Sequence, residues 1–149
     1  MRCVIQRVTR ASVESEGRLC GEIGKGYMIL VGVSVDDTDA DLKYMAEKIP
    51  NLRIFEDEDG KMNRSILDAG GEILAVSQFT LYGDARGQRR PGFTQAARPE
   101  KAREMYDRLV QAWRDHGIHV ETGVFQTDMQ VSLVNDGPTT LLMDSTKLF

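Results

Sequence analysis

Two short stretches hold the residue types that carry chemistry. Ser77-Gln78-Phe79-Thr80 places two hydroxyls and an amide at the end of an apolar run, Ile73-Leu74-Ala75-Val76. Polar groups at the end of a buried strand need partners, either neighbouring backbone or a ligand. A serine or threonine nucleophile also needs a base to take its proton. The only histidines are His116 and His119, neither near those hydroxyls in sequence, and Gly-x-Ser-x-Gly and His-Glu-x-x-His are missing. Two Cys and two His scattered along the chain do not suggest a zinc site. Asp57-Glu58-Asp59-Gly60 lacks the oxygen spacing of a calcium loop and reads as a solvated turn. Gly24-Lys25-Gly26 has the wrong spacing for a phosphate loop. An enzyme built this way would work without a histidine base. It would rely on positioning, on backbone N–H donors and on a group of the substrate itself. No metal and no cofactor is expected.

The elements that must position these residues are legible from periodicity. Arg2–Val8 alternates as a strand, and Ala11–Glu14 and Arg18–Ile23 flank a Ser15-Glu16-Gly17 turn as a hairpin. Tyr27–Val35 is a near-continuous apolar run suited to a central strand. Thr38 and Asp41 form a capping-box pattern ahead of Leu42, Met45, Ala46 and Ile49, and Pro50 is expected to stop that helix. Leu52–Glu56 reads as a short strand, and Met62–Asp68 has no clear pattern. Glu72–Tyr82 is expected as one strand, in which Gln78 and Thr80 face one side and Ser77 and Phe79 the other. All four could line one pocket only if the strand bends. A polar, arginine-rich loop follows, and Pro99 opens a helix whose apolar stripe is Ala102, Met105, Tyr106, Leu109, Val110 and Trp113, with Gly117 as its stop. His116 and His119 straddle that stop and suit surface or capping roles. Ile118–Val124, Met129–Val134 and Thr139–Ser145 return to strands, and Asn135-Asp136-Gly137-Pro138 reads as a hairpin turn. The sum is an α+β chain of mostly antiparallel β-sheets packed with two helices, forming one domain over residues 1–149.

Composition narrows the function classes. The chain carries 41% hydrophobic and 28% charged residues, ordinary for a globular protein. No apolar run approaches the ~20 residues of a membrane helix, and the N-terminus lacks the features of a signal peptide. Cys3 and Cys20 do not form a disulfide framework and suit a reducing cytosol. The net charge of −4 argues against bulk nucleic-acid binding, yet it is uneven. Arg2, Arg7 and Arg10 lie in an acid-free start, and Arg86, Arg89, Arg90, Arg98, Lys101 and Arg103 face only Asp84 and Glu100 in their segment. Two basic patches on an acidic body suit a partner with a local run of phosphates, although solvated surface loops have the same composition.

SQFTL at Ser77–Leu81 and NDGPTT at Asn135–Thr140, the latter preceded by DMQVSLV, closely resemble the two signature motifs of the D-aminoacyl-tRNA deacylases. IQRVTRASV at Ile5–Val13, RIFEDEDGKMN at Arg53–Asn63 and RRPGF at Arg89–Phe93 are also similar, so the resemblance spans essentially the whole chain. It implies a cytoplasmic homodimer with a barrel-like mixed fold. The implied activity is hydrolysis of the ester between a D-amino acid, or mischarged glycine, and the 3′-terminal adenosine of tRNA. L-aminoacyl-tRNA would be rejected. Carried over, Ser77, Gln78, Phe79 and Thr80 form the catalytic pocket. Two roles are open for Thr80: its hydroxyl as nucleophile or, fitting the absent base better, attack assisted by the terminal 2′-hydroxyl with N–H groups near Phe79 and Thr80 stabilising the oxyanion. Gly137 and Pro138 correspond to a Gly-cisPro dipeptide inserted into the other subunit's pocket, whose carbonyls hold the α-amino group and obstruct an L side chain. The residue after this dipeptide is usually Val in the family and is Thr139 here. Arg7, Arg86, Arg89 and Arg90 are the expected tRNA contacts. The competing reading is a non-catalytic tRNA-binding module of the same fold.

Overall fold

The computed structural model describes residues 1–149. Its strands are β1 (Arg2–Ser15), β2 (Arg18–Ile23), β3 (Gly26–Gly32), β4 (Phe55–Glu56), β5 (Met62–Arg64), β6 (Glu72–Ser77), β7 (Val120–Thr122) and β8 (Gln130–Asp144). Its helices are α1 (Asp39–Asn51), α2 (Ile66–Ala69) and α3 (Pro99–Asp115), with a 3₁₀ turn at Phe79–Tyr82. The main sheet has the order β2-β1-β3-β6-β7, and β8 lies along β1. β1 pairs antiparallel with β2, β3 and β8, whereas β3-β6 and β6-β7 are parallel. The expected mostly antiparallel sheet therefore has a parallel portion, in which β3-α1-β6 and β6-α3-β7 are crossover units. No helix is long and apolar enough to cross a membrane.

Two apolar cores lie on opposite faces of this sheet. On one, α1 and α3 bury Met45, Ile49, Leu109 and Trp113 against Ile5, Ile29 and Ile73. The α3 stripe is buried as its spacing predicts. On the other face Val8, Ala11, Val13, Ile23, Met28, Leu74 and Val76 fill the inside of a nearly closed barrel. Val8 and then Ala11 and Val13 point to this same core although their parity differs. The register shift of β1 against β8 between Val8 and Arg10 makes that possible, because one extra residue reverses side-chain alternation. The curled end brings β2 onto β7, and a Cβ at Gly21 would stand 2.9 Å from the Thr122 carbonyl oxygen. Glycine permits that closure.

Several expectations need correction. β1 is one strand of 14 residues, not two, because pairing with β8 continues through the shift. Pro50 lies inside α1, which runs to Asn51. In a last turn its missing N–H removes only one ladder bond, and the Leu52 N–H closes onto the Ile49 carbonyl at 3.3 Å. Met62–Asp68 contains β5 and a short helix begun by Ser65, whose Oγ accepts from the Asp68 N–H at 3.2 Å. The strand expected over Glu72–Tyr82 ends at Ser77. Asn135–Pro138 is not a hairpin turn: β8 passes through it, with Gln6 paired to Thr140 and Val8 to Asn135. Asp136–Thr139 leaves the ladder as a wide bulge.

Candidate active site

β6 ends where the sheet opens towards α3. The Gln78 N–H still bonds the Val31 carbonyl at 2.8 Å, extending the β3 pairing by one residue. The chain then turns, with Leu81 N–H on Gln78 O at 3.3 Å and Gly83 N–H on Thr80 O at 2.9 Å. The Phe79 and Thr80 amides donate to no backbone acceptor, and no side chain accepts from them. Both residues are exposed, whereas Ser77 and Gln78 are half-buried. This is the bend that lets all four residues line one pocket.

That pocket has a volume of about 920 Å³. Ser77–Thr80 form one wall, Phe93, Pro99 and Ala102 a second, and the Phe125–Met129 segment a third. Phe93 lies edge-on to Phe79 with ring centroids 5.0 Å apart. The Gln78 side-chain amide donates to Thr80 Oγ1 at 2.9 Å, which leaves the hydroxyl proton and one lone pair of Thr80 for another partner. No imidazole lines the pocket. His116 caps α3, and His119 Nε2 sits 3.1 Å from Glu121 and 3.8 Å from Glu72. An electrophilic carbon in this pocket would meet amide donors and no histidine base, the one carboxylate of the lining being that of the exposed Asp128 on the third wall, and the amides stabilise negative charge on oxygen. No cluster of three metal-ligating side chains occurs in the structure. The third wall was not legible in sequence. Phe125–Asp128 falls between two expected strands and carries no motif signal beyond its nearness to DMQVSLV.

The second motif lies apart. Gly137 and Pro138 are exposed, their peptide bond is cis, and neither lines the pocket of its own chain. Side chains hold this bulge. Asn135 Oδ1 accepts from the Thr139 N–H at 2.7 Å, and Asn135 Nδ2 donates to Thr139 O at 3.3 Å. Arg7 Nε donates to Asp136 O at 3.0 Å and Arg7 Nη1 to Ile54 O at 2.7 Å. Glu56 and Asp136 carboxylates stand 3.9 and 3.8 Å from the same guanidinium. Gly137 has φ +143, and a Cβ there would collide with Thr139 Oγ1 and stand 3.3 Å from Arg7 Nη2. The buried Thr139 thus fills the space a side chain at Gly137 would need.

The expected tRNA-binding arginines divide. Arg7 is only 5% exposed, and its donors serve two carbonyls. This burial replaces phosphate contact with support of the Gly137-Pro138 bulge. Arg86 is exposed but grips Asp84, with Nη2–Oδ2 at 2.8 Å and Nε–Oδ1 at 2.9 Å. Those hydrogen bonds hold the Asp84 carboxyl down at about 2 and raise the Arg86 guanidinium. Arg89 and Arg90 are exposed at the tip of a loop closed by the Asp84–Gly92 bridge. Neither has an ion-pair partner.

The fold is that of known structures. It matches a solved chain titled c-Myc DNA Unwinding Element Binding Protein with a TM-score of 0.90 and 40% identity, covering 97% of this chain and 98% of that one. A probable eukaryotic D-amino acid tRNA deacylase shares the fold with a TM-score of 0.82 at 18% identity, covering 95% and 97%. The nearly closed barrel is therefore an established architecture. Residues 4–144 match the family model described as D-Tyr-tRNA(Tyr) deacylase, and the chain belongs to that family. It is 60% identical to the D-aminoacyl-tRNA deacylase of Symbiobacterium thermophilum, over 100% of this chain and 99% of that one. It is equally identical to that of Desulfitobacterium hafniense, over the full length of both.

Proposed function

We propose that this chain, as one cytoplasmic domain, removes D-amino acids and mischarged glycine from tRNA through the pocket at Ser77–Thr80. The coarse activity follows from family membership: the chain is a hydrolase of D-aminoacyl-tRNA. The observation that carries the mechanism is the pair of unpaired amides at Phe79 and Thr80, in a pocket without an imidazole. The terminal adenosine enters this pocket, and the ester carbonyl oxygen lies against the two amides. The 2′-hydroxyl of the adenosine assists the attack of water. Negative charge on the carbonyl oxygen is then met by donors contributing about 3 kcal/mol each.

The pocket is completed by a second copy. Val4 pairs with Leu30 on one side and Leu142 on the other, so these side chains form an apolar row across β3, β1 and β8. Leu142 is 57% exposed. A partner seated on this row brings its Gly137-Pro138 over the ester, where the two carbonyls hold the α-amino group. An L side chain then meets main chain, a D side chain points away, and glycine offers nothing to exclude. Arg89 and Arg90 contact tRNA phosphates.

Release of tyrosine from D-Tyr-tRNA, beside L-Tyr-tRNA, tests the reading. Rapid turnover of the D form alone is expected. Equal turnover of both overturns the chirality argument, and binding with no turnover leaves a tRNA-binding module. Substrate ending in 2′-deoxyadenosine should be hydrolysed far more slowly, and unchanged rates would remove the 2′-hydroxyl from the mechanism.

A further inference from the structure

The 3₁₀ turn that presents the Phe79 and Thr80 amides is a single turn, and its far end is gripped by a side chain outside both motifs. Arg2, at the start of β1, donates from Nη1 to the Leu81 carbonyl at 3.0 Å. Its guanidinium lies over the Tyr82 ring, 4.5 Å from the centroid. Its Nε donates to Asp144 Oδ2 at 2.9 Å. Asp144, at the end of β8, is itself fixed. Its Oδ1 accepts from Thr146 N–H at 2.8 Å and Thr146 Oγ1 at 2.6 Å. Burial raises the Asp144 carboxyl, but the bonds from Thr146 and Arg2 outweigh it and keep the group ionised below the usual carboxylate range. The chain Thr146–Asp144–Arg2–Leu81 thus ties the turn to the two longest strands.

A short 3₁₀ turn has few bonds of its own. Here its bonds end at the Gly83 N–H, and the Leu81 carbonyl would otherwise rely on solvent. The planar guanidinium bonds the carbonyl, covers the ring and reaches Asp144 at once, which an ammonium does not reproduce. We propose that Arg2 is a positioning residue for the reaction, fixing the turn so that the Phe79 and Thr80 amides meet the developing oxyanion. This rests on the reading of those amides as the oxyanion donors. Arg2 touches no substrate and acts only through the turn.

The test measures D-Tyr-tRNA hydrolysis and amide hydrogen exchange on the whole protein for Arg2→Met, Arg2→Lys and Asp144→Asn, with thermal midpoints to establish that each variant is folded at the assay temperature. A misplacement of an ångström costs on the order of a hundredfold. The expected result is a kcat lower by about tenfold to a hundredfold in Arg2→Met, with KM nearly unchanged. Exchange at the Tyr82 and Gly83 amides should be faster. Arg2→Lys and Asp144→Asn should fall between wild type and Arg2→Met. Unchanged kcat with unchanged exchange overturns the proposal and leaves the amide reading intact. Faster exchange with unchanged kcat overturns the amide reading, and the proposal with it. A loss of activity that matches the unfolded fraction overturns the proposal alone.

Discussion

The turn at Phe79–Tyr82 follows the end of a strand and the bulge at Asp136–Thr139 interrupts one, and both present backbone groups to the outside. They are held in opposite ways. The turn is formed mostly by main-chain bonds from Gln78, Leu81 and Gly83, which leave the Phe79 and Thr80 donors free. The bulge has lost its ladder and is held by side chains, Asn135 from within and Arg7 from β1. A site of the first kind tolerates changes to the turn's own side chains and fails when an N–H is removed or when the Arg2 support of its far end is lost. A site of the second kind keeps its main-chain chemistry only while particular side chains remain.

The contrast is sharpest at Thr80. Thr80→Pro, which deletes the N–H, should lower kcat by about a hundredfold to a thousandfold, whereas Thr80→Ala should cost less than about tenfold. Single-turnover rates on D-Tyr-tRNA decide this, and a larger loss in Thr80→Ala would make the turn a side-chain site after all. Next in size is Arg7→Met. It strands the Ile54 and Asp136 carbonyls, at a cost of about 3 kcal/mol, and should lower Tm by roughly 10 °C. Retained stability in a melting curve would show that the bulge does not depend on this guanidinium. Asn135→Ala should cost about 1–2 kcal/mol by denaturant titration, since the Thr139 N–H loses its acceptor. The smallest effects belong to neither region. Arg89→Ala and Arg90→Ala should each weaken tRNA binding and reduce its salt slope by about one. Arg86→Ala should do less, because Arg86 already bonds Asp84. Equal slopes for all three variants would mean that Asp84 releases Arg86 to the phosphate.

The same contrast explains what could be read from sequence. The α3 stripe from Ala102 to Trp113 and the apolar run of β3 were legible because local periodicity and burial agree there. The polar cluster at Ser77–Thr80 was legible as a site because its residue types do not suit a buried strand. Its conformation was not, since alternation continues through Phe79 and Leu81 while the sheet beside it ends. Asn135–Pro138 carries a strong local turn signal, but pairing of β8 with β1 on both sides of it overrides that signal. Arg7 looked like a surface charge in an acid-free segment. Its burial depends on Ile54 and Asp136, distant in sequence, which no local pattern brings together.

β1 supports both regions, with Arg2 beneath the turn and Arg7 beneath the bulge. In the proposed assembly a chain's turn serves its own pocket and its bulge serves the other, so one strand underwrites half of two active sites. Genetically, damage to Arg7 in one copy and to Thr80 in another is complementary. A mixed pair still holds one pocket in which an intact turn meets an intact bulge, while each parental pair holds none.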